Sequence, residues 1–335
     1  MQKLSPEFFK NNKREKLLDY KVYSSNFDET SELLEIVRES LMLPKERLDA
    51  LPPENIMMTT SQGAWMSLDL VVSCYSAGHP LIELRSFFAS VLNYWEEYTK
   101  YSKVYNDSLP DGSTHSAHIP LGDDDYSYAN QLLSFALLFG YSNRLKEIAS
   151  WIDYNNPQQD GMLERILTTS IDRATPPPSE CIRHLPYFKT IKIFDADAPQ
   201  RSDLMREYLE DWYQASRREA YYDSHKRNLV FKGYWSWEAA AITFILGIDD
   251  TCFQNAAFYP KDLVDFAHDA EVQYTPAGTA PLKDNELRTK AGDPCPRTGE
   301  WESLDIPHQV NTFTEGEIIP NLGSHYGLTI WKYLG

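Results

Sequence analysis

Cysteine is scarce in this chain. The four present, Cys74, Cys181, Cys252 and Cys295, stand far apart, with no CxxC pair and no CxxC…HxxxH spacing. Neither a disulfide framework nor a zinc site is therefore expected. His308, His325 and Cys295 come nearest to a metal set, and their spacing matches no common site, so no metal and no cofactor are expected. Cys74 and Cys252 lie in apolar contexts and read as small core residues. Long apolar runs are missing too. Stretches such as LLSFALLFGY are too short to span a bilayer, and MQKLSPEFFKNNKREK at the start has no apolar signal core. With reduced thiols, this reads as a cytoplasmic protein with no membrane partner. Positive charge is also in short supply, 32 Lys and Arg against 49 Asp and Glu, for a net charge of −17. A phosphate polymer would be repelled at long range, so direct nucleic-acid binding is disfavoured and a basic partner favoured.

What the chain does have is aromatic content, with 21 Tyr and 8 Trp, and 42% hydrophobic residues in 335. That excludes a disordered protein and is enough for two domains. Apolar residues recur at steps of three and four over Glu32–Met42, Ser61–Ala77, Pro80–Tyr105, Asp123–Phe139, Asn143–Ile152 and Gly161–Ile171. LDALPPEN reads as a connector and 106–122 as a polar loop. ATPPPSE (174–180) cannot continue a helix and is the expected domain break. Helices resume over Cys181–Phe194, Pro199–Arg217, Tyr234–Leu246 and Lys261–Glu271. From Pro276 onward the spacing is lost, while VNTF, EIIP and GLTIWKYL have strand-like content. The expected fold is mainly α: two helical-hairpin domains over 1–173 and 181–275, followed by a small β-containing extension over 276–335.

The densest chemistry lies between Tyr208 and Phe266. Leu204, Tyr208, Trp212 and Ala215 share one helix face, with Glu207, Glu210 and Asp211 on the other. Ala239, Ala240 and Ala241 let a neighbouring helix approach closely, and Gly247 reads as a helix stop. Asp223, Ser224 and His225 contain the residue types of a hydrolytic triad. Adjacent in sequence, they cannot converge on one point, and no nucleophile elbow surrounds Ser224. They read instead as a polar network at a helix end. Glu238, in the most apolar helix, is expected to be buried and to need a partner, with His225, Lys226, Tyr222 or an indole N–H as candidates. The acidic run Asp123, Asp124, Asp125 reads as the first turn of a helix, meeting its dipole favourably. Three acids exceed what capping needs.

YLEDWY (208–213), YYDSHK (221–226), GYWSWEAAA (233–241), IDD (248–250) and YPKDLVDF (259–266), in that order, resemble the PoNi family of immunity proteins. These neutralise the PoNe class of DNase toxins delivered between competing bacteria. The N-terminal half is similar in pattern to the helical domain that usually precedes this one, through Asp124–Phe139 and the segment from Asp153 to Leu167. GDPCPRTGEWES (292–303) and the segment 313–335 resemble a tail seen on other bacterial toxin-immunity proteins. The resemblance implies a non-enzymatic partner of a cognate effector toxin, a basic nuclease, in the setting of type VI secretion. Taken with the charge, it implies toxin binding through some of Asp123, Asp124, Asp125, Glu210, Asp211, Asp249 and Asp250, which fall at expected helix ends and turns. Trp212, Tyr222, Asp223, His225, Trp235, Trp237 and Glu238 are then a structural motif. The competing expectation is a hydrolase that uses acids and His225.

Overall fold

The computed structural model describes residues 1–122, 124–227, 231–273, 288–303, 309–322 and 329–334. They divide into two compact units, Met1–Glu271 and Val272–Gly335. The first holds twelve α-helices among its described residues: α1 (Pro6–Asn12), α2 (Tyr20–Leu41), α3 (Lys45–Asp49), α4 (Pro53–Ala77), α5 (Leu81–Asp107), α6 (Tyr126–Leu138), α7 (Leu145–Asp153), α8 (Gly161–Thr168), α9 (Ile191–Asp195), α10 (Ala198–Ala215), α11 (Trp237–Leu246) and α12 (Lys261–Gln273), the last running two residues past Glu271.

α4 and α5 form the long hairpin. α4 buries the small residues Gly63, Ala64, Ser67, Ser73, Cys74 and Ala77, and α5 buries Leu84, Phe88, Val91, Leu92 and Trp95. Gly78 ends α4 at φ 96, and a Cβ there would lie 2.2 Å from the Asn12 carbonyl oxygen. Only glycine satisfies both the left-handed backbone and that approach. α6 is buried on nearly every side, from Tyr126 through Leu138, as expected of a helix inside a core. Ala239, Ala240 and Ala241 of α11 are fully buried. Helices on both sides of 174–180 contribute to one hydrophobic cluster that runs from Phe9 to Ala267.

Among the described residues every strand lies at Arg288 or later. β1 (Arg288–Lys290), β2 (Gly299–Ser303), β3 (Val310–Phe313) and β4 (Ile330–Tyr333) form an antiparallel sheet of order β1-β4-β2-β3. The register pairs Trp301 with Tyr333, Ser303 with Trp331, and Gly299 with Phe313. Period-two alternation puts Trp331 and Tyr333 on the same face, where they meet Trp301, Phe313, Cys295 and Ile319 in a second, smaller core.

Five local expectations change. α2 begins at Tyr20, twelve residues before the expected start, because Asp19 caps the Lys21 N–H at 2.7 Å and Tyr23, Phe27 and Thr30 extend the buried stripe. LDALPPEN is mostly helical: Pro53 opens α4, where its missing N–H costs nothing. Cys181–Phe194 is not one helix. Pro186 disfavours helical geometry before it, and only the short helical turn Tyr187–Thr190 and α9 follow. Cys252 is exposed, in the turn after α11, whereas Cys74, Cys181 and Cys295 are buried. Within EIIP, Ile318 makes only an isolated bridge to Pro294.

Candidate functional site

The first unit contains a cleft of about 290 Å³ between α4, the start of α6, Tyr187, α10 and residues 219–224 and 232–238. Its construction begins with Gly233. At φ 109, this glycine leaves Ser76 and the Trp235 indole no room for a Cβ, which would lie 2.3 Å from Ser76 Oγ and 2.7 Å from Trp235 Nε1. The Trp235 indole donates to Ser76 Oγ at 2.8 Å and meets Tyr75 edge-on at 5.0 Å. Trp237, 4% exposed, packs on Tyr75 and Phe135.

Glu238 sits in the first turn of α11, where the helix dipole favours a carboxylate, and is 1% exposed. Its Oε1 accepts from Tyr208 Oη (2.7 Å), Trp212 Nε1 (2.7 Å) and Ser236 Oγ (2.6 Å); Oε2 accepts from Asn130 Nδ2 (2.7 Å). An indole N–H is thus a partner as expected, but His225, Lys226 and Tyr222 are not. Tyr222 lies tilted against Tyr213, ring centres 4.7 Å apart, and accepts on its carbonyl from Arg227. Burial pushes the Tyr208 hydroxyl well above its ordinary range, and the Glu238 charge pushes it further, so it donates at any ordinary pH.

The mouth of the cleft is acidic: Asp69, Asp124, Asp125 and Glu219 line it together with Lys232. Lys232 pairs with Asp69, and Arg183 pairs with Glu219 at 2.9 Å and with Asp124 at 3.3 Å. Asp125 stands at the start of α6 without a side-chain cap bond, and Asp123 lies outside the described residues.

The other acids of the expected binding set do not line this cleft. Glu210 pairs with Arg206 at 3.1 Å, and Asp211 with Lys189 at 2.7 Å on another face of α10. Asp249 accepts the Thr251 N–H at 3.0 Å, which holds its carboxyl below the usual range. Asp250 accepts from Tyr259 at 3.0 Å, with Lys261 at 3.7 Å. Asp223, Ser224 and His225 engage tyrosine hydroxyls rather than one another. Asp223 accepts from Tyr213 at 2.7 Å, His225 Nδ1 meets Tyr234 Oη at 2.6 Å, and Ser224 Oγ is 3.5 Å from that same hydroxyl. This geometry stitches a turn and assembles no nucleophile and base.

Sequence reasoning missed Asn130, Gln131, Tyr128, Asp69 and Glu219. One signal was available: Asn130, Gln131 and Ser134 interrupt the apolar run of α6, and Ser134 Oγ donates to Asn130 Oδ1 at 3.2 Å to orient the amide. Among the described residues no three His, Cys, Asp or Glu side chains gather as a metal set; His308 and His325 lie outside them. Nor is any described helix long and apolar enough to cross a membrane.

No match was found among curated proteins. The fold is similar to the crystal structure of protein PA2201 from Pseudomonas aeruginosa, with a TM-score of 0.65 at 18% identity over 79% of this chain and 96% of that one. Two family profiles match in tandem: residues 14–150 fit the N-terminal region of the PoNe immunity proteins, and residues 158–263 fit their C-terminal region. The family profiles thus span both the α4–α5 hairpin and the cleft, and the chain belongs to the PoNi family of PoNe immunity proteins.

Proposed function

We propose that this chain neutralises a cognate PoNe-class DNase toxin by binding it directly in the cytoplasm, as a stoichiometric inhibitor with no chemistry of its own. In doing so it protects the producing cell and its siblings from a toxin delivered through type VI secretion. The observation that carries this reading is the cleft, where five carboxylates, those of Asp69, Asp124, Asp125, Glu219 and Glu238, meet aromatic walls in a chain of net charge −17. A nuclease must present a positive groove to DNA, so an acidic inhibitor gains complementarity and a fast on-rate at that same surface. The hydrolase reading has no such support, because His225 is engaged by Tyr234 and Asp223 by Tyr213.

Co-expression with a PoNe-class DNase toxin is the direct test. Growth should be rescued, and the purified pair should bind with an association rate that falls steeply with salt. Neutralising Asp123, Asp124, Asp125, Glu210, Asp211, Asp249 and Asp250 together should slow association and flatten that salt dependence. An unchanged rate with full protection would remove those acids from the interface. The search would then move to Trp301, Phe313 and Trp331, although all three are buried in the sheet unit.

A further inference from the structure

The inside of the cleft carries a more specific instruction than its acidic mouth. Glu238 is 1% exposed, lines the cleft, and has no basic partner among the described residues. Buried carboxylates are normally matched by a cation or by a full set of donors. Its Oε1 is saturated by three donors, whereas among the described residues Oε2 has only the Asn130 amide and retains acceptor capacity. Gln131, one residue along α6, also lines the cleft, and its Oε1 is buried with no donor. Two residues with unfilled acceptors thus line the cleft together with Tyr128, Tyr221 and Trp235, and Tyr128 is held flat against Trp65 at an interplanar angle of 2°. The volume of about 290 Å³ is at the bottom of the range for small-molecule sites, roughly 300–1,000 Å³. It therefore suits one side chain rather than a nucleotide strand, and its carboxylates repel phosphate.

Resting on the toxin-binding reading above, we propose that this cleft is an arginine receptor: a guanidinium presented by the partner enters between the aromatic rings and donates to Glu238 Oε2 and Gln131 Oε1. A guanidinium fits these demands together, being planar, permanently charged and forked in its donors, and it stacks on rings more readily than an ammonium. Lys232, committed to Asp69 and with its carbonyl accepting from Ser76, stays at the margin as part of the wall.

The test needs no toxin, so its failure would remove this receptor while leaving the toxin-binding reading to the co-expression result. N-acetyl-L-arginine methylamide is titrated into the isotope-labelled full chain, with the neutral citrulline analogue as control, following the indole N–H signals of Trp212, Trp235 and the distant Trp95. Expected are saturable shifts of the first two with a dissociation constant on the order of 1 mM, no response at Trp95, and binding at least about ten-fold weaker for citrulline. Gln131→Leu removes an acceptor that makes no bond in the free protein, so it should leave folding intact and weaken arginine about ten-fold. Gln131→Glu should tighten it. Absence of saturation up to about 50 mM, equal binding of citrulline, or affinities indifferent to both Gln131 variants would each overturn the assignment.

Discussion

Glu164 and Glu238 occupy the same kind of place and are treated in opposite ways. Each lies in the first turn of a short helix, α8 or α11, and each is almost completely buried, at 2% and 1% exposed. Around Glu164 the chain supplies its own cation. Arg173 donates to both carboxylate oxygens at 2.7 Å and, with its remaining donors, to Asp153 at 2.7 and 2.8 Å. Around Glu238 it supplies only neutral donors, a phenol, an indole, a hydroxyl and an amide. Both are workable ways to bury a carboxylate, but they differ in consequence: Arg173 completes a structural tie, whereas neutral donors keep the negative charge of Glu238 at the cleft.

The largest expected effect breaks the closed case. Arg173→Leu strands Glu164 without its cation and should cost about 3–5 kcal/mol in urea unfolding. A cost below about 1 kcal/mol would show that the tie is ornamental. Glu238→Gln keeps the shape and removes the charge, turning one acceptor into a donor that faces other donors. It should cost about 1–3 kcal/mol and disturb the Trp212 indole signal. If Glu238→Gln proved more damaging than Arg173→Leu, the contrast between the two sites would be inverted.

A pH scan sharpens the comparison by isolating bases from acids. Burial, aided for His79 by the positive N-terminus and Arg14 and for His118 by Lys103, lowers both histidines to about 4. The unfolded chain, with histidines near 6.5, then binds more protons between pH 6.5 and 4. Stability should be complete above pH 6.5 and fall as pH drops through that window, with a slope of up to about 1.4 kcal/mol per pH unit for each ring. His118 stacks on Tyr154 at 3.8 Å with neither ring nitrogen hydrogen-bonded, so His118→Phe should remove its share of the slope at little cost near pH 7. An unchanged slope would count against neutral burial. Smallest of all, Asp211→Asn or Glu210→Gln breaks an exposed pair and should move stability by less than about 0.5 kcal/mol.

Legibility followed periodicity. The long helices and the strands in VNTF and GLTIWKYL were readable because one buried face imposes a repeat of 3.6 or 2 on the residues, whereas β1 and β2 were not expected. The end of α11 was readable because Gly247, at φ 57, closes it in the left-handed conformation. The start of α2 was not, since its polar face masks the stripe of Tyr23 and Phe27. The burial of Glu238 could be expected from its neighbours in sequence, but its partner Asn130 is 108 residues away. No local pattern specifies such a pairing. For the same reason the acids that line the cleft come from α4, from the approach to α6, from the turn after α10 and from α11, and of these Asp69 and Glu219 drew no attention in the sequence.

The bonds around Ser76 bear on how the protein comes into being. Its carbonyl accepts the Arg14 and Glu15 amides, its hydroxyl engages the Lys232 carbonyl and the Trp235 indole, and Glu15 in turn accepts the Tyr234 amide across 219 residues. Loop closure across such spans must precede its reward, which slows folding and delays it on the ribosome. At about 5–20 residues per second, a nascent chain spends on the order of ten seconds or more before residues 232–238 emerge to finish the cleft. A chain cut short before that point lacks Gly233, Trp235 and Glu238 and so cannot assemble the cleft.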